Sequence, residues 1–253
     1  MKRTLLIVVS LGLLSFNFLS FNPEKVPVYD HREFFEASLN NINSIDKLSE
    51  YIDSVAKAKK ILPSSVGYAV LTESVIKKRF YHGFSHYGFQ QNWIAAVSEK
   101  VVGYGLSSIV IPNDIIKHPY AACSQQALVM SAILKRKGYS YRSVGFPHHY
   151  AMEFLIDNKW YYFDPNMEPS IPDSCRLETK WECLADNLKK YYDTTRYKDL
   201  DWKFGKSMPV TRGEINAAQA PHATIFQTGT HYLSRILWVF PMMAAFYPRR
   251  KTA

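Results

Sequence analysis

Apolar residues recur at helical spacing from Arg32 to about Phe80, in REFFEASLNN, SIDKLSEYIDSVAKAKKI and SSVGYAVLTESVIKKRF. Three helices are expected there. Ser44 stands where a cap for the second belongs, and Pro63 falls in the first turn of the third. Gly83 and Gly88 interrupt the pattern, and a further helix is expected over about Asn92–Val101. IVIPNDIIKHPYAA reads as a loop leading into the apolar run from Cys123 to Lys137. That run predicts a helix of roughly 22 Å, stopped by Gly138. Leu128, Val129, Met130, Ile133 and Leu134 surround most of its circumference, so the helix should be central and buried.

The period then changes from helical to alternating. Strands are expected at about Tyr141–Phe146, His149–Ile156 and Trp160–Asp164. In the second, Tyr150, Met152, Phe154 and Ile156 share one face; His149, Ala151, Glu153 and Leu155 share the other. Asp157-Asn158 is the turn signal between the second and third strands, and Pro165 ends the third. Beyond Pro172 a helix is expected near Lys180–Tyr192, and residues 200–230 read as loop. The pattern as a whole is α+β.

The ends differ from the middle. After Met1-Lys2-Arg3, no charge occurs from Thr4 to Pro23. This stretch is a signal peptide or an N-terminal membrane anchor; no Ala-x-Ala site follows it. Lys2 and Arg3 would stay in the cytoplasm and the rest would be exported. ILWVFPMMAAFYP lies between Arg235 and Arg249-Arg250-Lys251; it is either a marginal second span or an interfacial or docked amphipathic segment. The expected divisions are residues 1–22 as signal or anchor, 23–83 as a helical region, 84–230 as the catalytic core with its C-terminal extension, and 231–253 as a possible membrane segment with a basic tail.

The 253 residues carry 31 Lys and Arg against 22 Asp and Glu, a net charge of +9. That balance suits anionic surroundings, or serves only solubility. No basic cluster interleaves with aromatics in the manner of a nucleic-acid site. His82 and His86 have Gly83 between them and no HExxH, and His148, His149 and Glu153 do not share a face, so no metal is expected. No phosphate loop or other cofactor motif occurs. Glu153 and Glu168 read as ordinary polar positions, not a glycosidase pair.

The three cysteines are Cys123, Cys175 and Cys183. In an oxidising compartment Cys175 and Cys183 are placed to pair, which leaves Cys123 as the odd thiol; three reduced cysteines are the alternative. Cys123 sits in the first turn of its helix. There the helix dipole and the first-turn N–H groups favour a thiolate and can hold an oxyanion. A hairpin centred on Asp157-Asn158 sets Ala151 opposite Asp164 and His149 diagonal to it, about 7–8 Å away at Cα. Cys123, His149 and Asp164 thus make a nucleophile, a base and an orienting group.

Cys123 opening CSQQALVMSAILKRKG, together with HYAMEFLIDNKWYYFDP, resembles the transglutaminase-like superfamily. In the second block the Glu four on, the Trp eleven on and the Asp-Pro fifteen on from His149 match the usual run of that superfamily. The resemblance covers roughly residues 85–170. It implies a papain-like core, with a central helix carrying Cys123 against an antiparallel sheet, and a Cys-His-Asp triad acting on amide or thioester carbonyls. It also implies an upstream side chain in the oxyanion hole, for which Gln91, Asn92 and Trp93 in GFQQNW are the candidates; a core role for Trp93 and capping roles for the amides are the alternative. The expected function is an extracytoplasmic, membrane-anchored cysteine hydrolase or acyltransferase. Its partners would be a peptide or protein amide substrate, an anionic envelope component and membrane lipid. A non-catalytic envelope-assembly module keeping the same fold is the other reading.

Overall fold

The computed structural model describes residues 2–31, 33–146, 149–166, 171–180, 182–184, 186–187 and 211–247. The protein is α+β: among the described residues, eight α-helices accompany one four-stranded antiparallel sheet. The chain sorts into two compact units, each assembled from separated segments. One comprises residues 1–26, 86–110 and 220–253; the other comprises 27–85 and 111–219. The helical region after residue 26 therefore shares a unit with the strands that follow Cys123.

This second unit contains α2 (Ile45–Ala58), α3 (Val66–Arg79), the short α5 (Pro112–Ile115) and α6 (Cys123–Arg136). Ser44 caps α2 by accepting from Lys47 N. The cap of α3 is Ser65, which accepts from Tyr68 N; Pro63 therefore precedes the helix and does not occupy its first turn. Among the described residues of REFFEASLNN, the helical part is only a 3₁₀ turn over Ala37–Asn41. The expected loop over 109–122 contains α5, which has Pro112 at its first position. Gly138 takes a φ of 84° after α6, and Tyr139 N donates to Leu134 O at 3.2 Å. This left-handed stop satisfies carbonyls that a continuing helix would have used.

The sheet runs in the order β3-β2-β1-β4. Strands β1 (Ser140–Phe146), β2 (His149–Ile156) and β3 (Lys159–Phe163) fall within a residue of expectation. Asp157 and Asn158 both have positive φ, 48° and 59°, the two-residue turn whose twist suits a hairpin. It sets Ile156 opposite Lys159 and Met152 opposite Phe163. β4 (Thr211–Arg212) pairs with Val144 and Gly145 and was not legible as a strand. Helices α3 and α6 pack on the sheet and on each other, burying Val129, Met130, Ile133, Leu134, Met152, Phe154 and Phe163. Glu153, an ordinary polar position by sequence, is buried. Its carboxylate takes Arg142 Nε at 2.6 Å and Arg212 Nε at 3.0 Å, so it ties β2 to its neighbour β1 and, beyond that, to the edge strand β4. A buried carboxylate between two guanidiniums is the arrangement that makes its burial tolerable.

The other unit contains α1 (Lys2–Ser15), α4 (Phe89–Val102), α7 (Pro221–Ile236) and α8 (Val239–Phe246). The loop expected over 200–230 is overturned from residue 221 onward by α7. Its Gly229 and β-branched Thr224, Ile225, Thr228 and Thr230 are weak helix formers, and packing against α4 supplies what propensity does not. Among the described residues, no helix is long and apolar enough to cross a membrane. The helix expected near Lys180–Tyr192 lies mostly outside the described residues, as do His148 and Glu168.

Candidate active site

The approach to Cys123 is fastened before the helix begins. Arg79, buried at the end of α3, donates to the carbonyls of Ile42, Ile116 and His118 and to Asn40 Oδ1. Burial lowers its pKa to about 10, and it remains charged at neutral pH. Tyr81 N donates to Pro119 O and Ala121 N to Tyr81 O, in a short parallel bridge. Gln125, the third residue of α6, then accepts from Ala122 N at 3.1 Å and from Ser85 N at 2.9 Å, while its amide donates to Ser85 O at 2.9 Å. The first turn of α6 is thus held by a fully buried amide, with Cys123 as its first residue. The N–H groups of that turn have no acceptor inside the helix.

His149 and Asp164 meet as the hairpin register requires. One step beyond the Met152–Phe163 pair, Asp164 lies opposite Ala151, with His149 diagonal to it. His149 Nε2 hydrogen-bonds Asp164 Oδ2. The Cys123 side chain adjoins the same imidazole and favours its charged form. His149 and Asp164 are buried, whereas Cys123 is half-buried. Burial by itself pushes the imidazole pKa down. The Asp164 charge and hydrogen bond, with the Cys123 contact, outweigh it and raise the pKa to about 9. A free thiol, a ring that holds a proton at neutral pH and a carboxylate hydrogen-bonded to that ring are therefore gathered in one place.

Three residues that sequence reasoning did not single out hold Asp164. Tyr162 donates its hydroxyl to Asp164 Oδ2 at 2.9 Å. Asp164 N donates to Glu73 Oε1 at 2.5 Å. Arg176 Nη1 donates to Glu73 Oε2 at 3.0 Å and to Tyr162 O at 3.3 Å. Glu73 and Arg176 are both nearly inaccessible, with side chains 4% and 3% exposed. The one sequence signal for Glu73 is an acidic residue in the middle of the apolar run GYAVLTESVI. Cys175 and Cys183 form a disulfide with Cα atoms 5.3 Å apart, which anchors the segment carrying Arg176. Cys123 is a free thiol.

Gln91, Asn92 and Trp93 belong to the other unit, where their polar groups are engaged. Gln91 Oε1 accepts from Gly88 N. Asn92 breaks the helical backbone of α4, donates to Gln227 O and Thr230 Oγ1, and accepts from Ala95 N. Trp93 Nε1 donates to Ser234 O at 3.1 Å. In this structure they cap, kink and fill. His82 Nδ1 lies 3.0 Å from Asn166 Nδ2, and His86 Nδ1 lies 2.9 Å from Ser107 Oγ. Comparison with family models, with curated proteins and with solved structures finds no match.

Proposed function

We propose that this chain is a transglutaminase-like thiol enzyme, with a papain-like core, that opens amide or thioester carbonyls through Cys123, His149 and Asp164. The observation that carries the reading is that one buried imidazole hydrogen-bonds a buried carboxylate and adjoins the free cysteine, Cys123. In the first step the Cys123 sulfur, its proton passed to His149, attacks the carbonyl carbon as a thiolate. A C–S bond forms, and the carbonyl electrons move to the oxygen, which faces the N–H groups at the start of α6. As the tetrahedral adduct collapses, the C–N bond breaks and His149 gives its proton to the leaving amine. The acyl group stays on sulfur as a thioester. His149, now neutral, removes a proton from water or an amine, which attacks the thioester carbon and releases the Cys123 thiolate. Asp164 holds the ring angle throughout and steadies the imidazolium.

The substrate class is a peptide or protein amide. The proposed setting is extracytoplasmic and membrane-anchored, on two supports: the uncharged run behind Lys2-Arg3 and the Cys175–Cys183 disulfide, a bond that persists in oxidising compartments. The test is acylation by an activated ester such as p-nitrophenyl acetate. A burst of p-nitrophenol should accompany an acetyl group that peptide mass spectrometry finds on Cys123, and His149→Ala should abolish the burst. Acetylation scattered over lysines, with none on Cys123, contradicts the reading and favours a non-catalytic module.

A further inference from the structure

The helices at the two ends of the chain are joined through buried polar side chains. Ser10 Oγ donates to Trp238 O at 2.5 Å, and Asn17 Nδ2 donates to Ser234 O at 3.1 Å. As position rises along α1 it falls along the partner, so the pair is antiparallel. The only fully buried residue of α1 is Ser10, and the only one of α8 is Ala245. Asn17, in the 3₁₀ turn that prolongs α1, and Ser234 in α7 are buried too. The outer surface is the reverse. Val8, Leu11, Phe240, Met243 and Phe246 are 53–69% exposed. In water this distribution is unusual: the fully buried positions are small or polar, Leu6, Leu13 and Met242 beside them are half-buried, and other large apolar side chains face solvent. Between helices in lipid it is the expected one, because tails solvate the apolar face and small or hydrogen-bonding residues let the helices approach.

We propose that α1 and the α7–α8 segment form one antiparallel hairpin seated in a lipid bilayer, with its outer apolar face against acyl chains. The break between α7 and α8 is compatible with this. Leu237 and Trp238 keep right-handed helical dihedrals, and Pro241, four residues after Leu237, has no N–H to bond the Leu237 carbonyl. The backbone therefore runs helically from Pro221 to Phe246. Lys2 and Arg3 at one end meet anionic headgroups, on the cytoplasmic side by the charge rule. Arg235, bonded to Asn17 Oδ1 at 3.3 Å and to Gln90 O at 2.9 Å, marks the other. From Lys2 to Asn17 the rise is about 22 Å, against a hydrocarbon core of about 30 Å. Snorkelling of the long cationic side chains and local thinning close that gap. The inference does not depend on the chemistry at Cys123.

The test uses the full chain in vesicles of phosphatidylglycerol and phosphatidylethanolamine, in a Cys123→Ala background. Nitroxide labels are placed singly at Val9→Cys, Met243→Cys and Ser10→Cys. Labels at 9 and 243 should collide readily with oxygen and be shielded from a water-soluble nickel chelate; the label at 10 should be shielded from both. Separately, Val9→Lys alters only the outer face and should lower vesicle partitioning on the order of a hundredfold, with helix content by circular dichroism unchanged. Collision of labels 9 and 243 with the nickel chelate overturns the proposal. So does their shielding in a lipid-free oligomer of defined size, which assigns the face to a second copy of the chain. Unchanged partitioning of Val9→Lys also overturns it.

Discussion

The backbone N–H of Asp164 donates to Glu73 Oε1 at 2.5 Å, joining residues 91 positions apart. The carboxylate behind His149 is therefore held by α3 as well as by its own strand, and Glu73 is in turn held by Arg176 at 3.0 Å. Glu73→Ala should deprive Arg176 of its buried counter-charge, leaving the exposed Asp173 carboxylate at 3.5 Å, and Asp164 N of its acceptor. A loss of about 3–5 kcal/mol of stability is expected. Glu73→Gln keeps an acceptor for Asp164 N and should lose less. Urea denaturation measures both; an unshifted midpoint in Glu73→Ala shows that the pair carries no weight.

The raised pKa of His149 has a stability consequence of definite sign. The folded-state value, about 9, lies above the value of about 6.5 for an unfolded histidine. The stabilisation is fully present below the unfolded value and is lost as pH rises through the folded one. The stability of wild type relative to His149→Gln should therefore decline between about pH 6.5 and pH 9. Thermal melts of the two proteins across that window check it, and a difference that grows with pH contradicts the charged ring.

In the proposed mechanism Asp164 orients the ring and does not itself exchange protons. Asp164→Asn keeps an acceptor of the same shape and should retain more turnover than Asp164→Ala. Both should exceed Cys123→Ala, which has no nucleophile. Removing the proton shuttle in His149→Ala should cost about 10²–10⁴ in turnover. Tyr162→Phe removes one donor from Asp164 Oδ2 and should fall between wild type and Asp164→Asn. Steady-state rates on an activated ester rank the series; Asp164→Ala equal to wild type removes the carboxylate from the mechanism.

How far these residues could be read in advance depended on the range of each contact. The His149–Asp164 meeting follows from a local rule: a two-residue turn at Asp157-Asn158 fixes every pair of the hairpin, and alternation does the rest. The start and stop of α6 are equally local, at Gln125 and Gly138. Glu73 and Arg176 were opaque because their partners lie 91 and 103 positions away. The helical pattern of α3 says which residues share a face, not which strand end that face meets. α7 was missed for the opposite reason: its local propensity is poor, and its helix is imposed by packing on α4. Asn92 and Trp93 are polar and aromatic a few residues after Gly88, a composition that suits either a donor site or a kink. Only their bonds to Gln227, Thr230 and Ser234 show which of these this structure makes of them.

The Cys175–Cys183 disulfide closes a short loop, with a sequence separation of 8. Loop-closure entropy assigns it about 2.5 kcal/mol. Cys175→Ser with Cys183→Ser should lower stability by no more than about that amount and should loosen Arg176, which adjoins Cys175. Denaturation with and without a dithiol reductant measures the first effect. A reductant-insensitive midpoint, with mapped peptides showing free Cys175 and Cys183, contradicts the bond.

The proposed mechanism requires Cys123 and His149 to act as one unit. The direct measurement is the rate of Cys123 alkylation by iodoacetamide between pH 5 and pH 9, in wild type and in His149→Ala. The wild-type thiol should react faster near neutral pH than the variant, because the imidazolium that stabilises the thiolate is gone in the variant. Identical rates at every pH would show that the ring and the sulfur are uncoupled, and the triad assignment would fail.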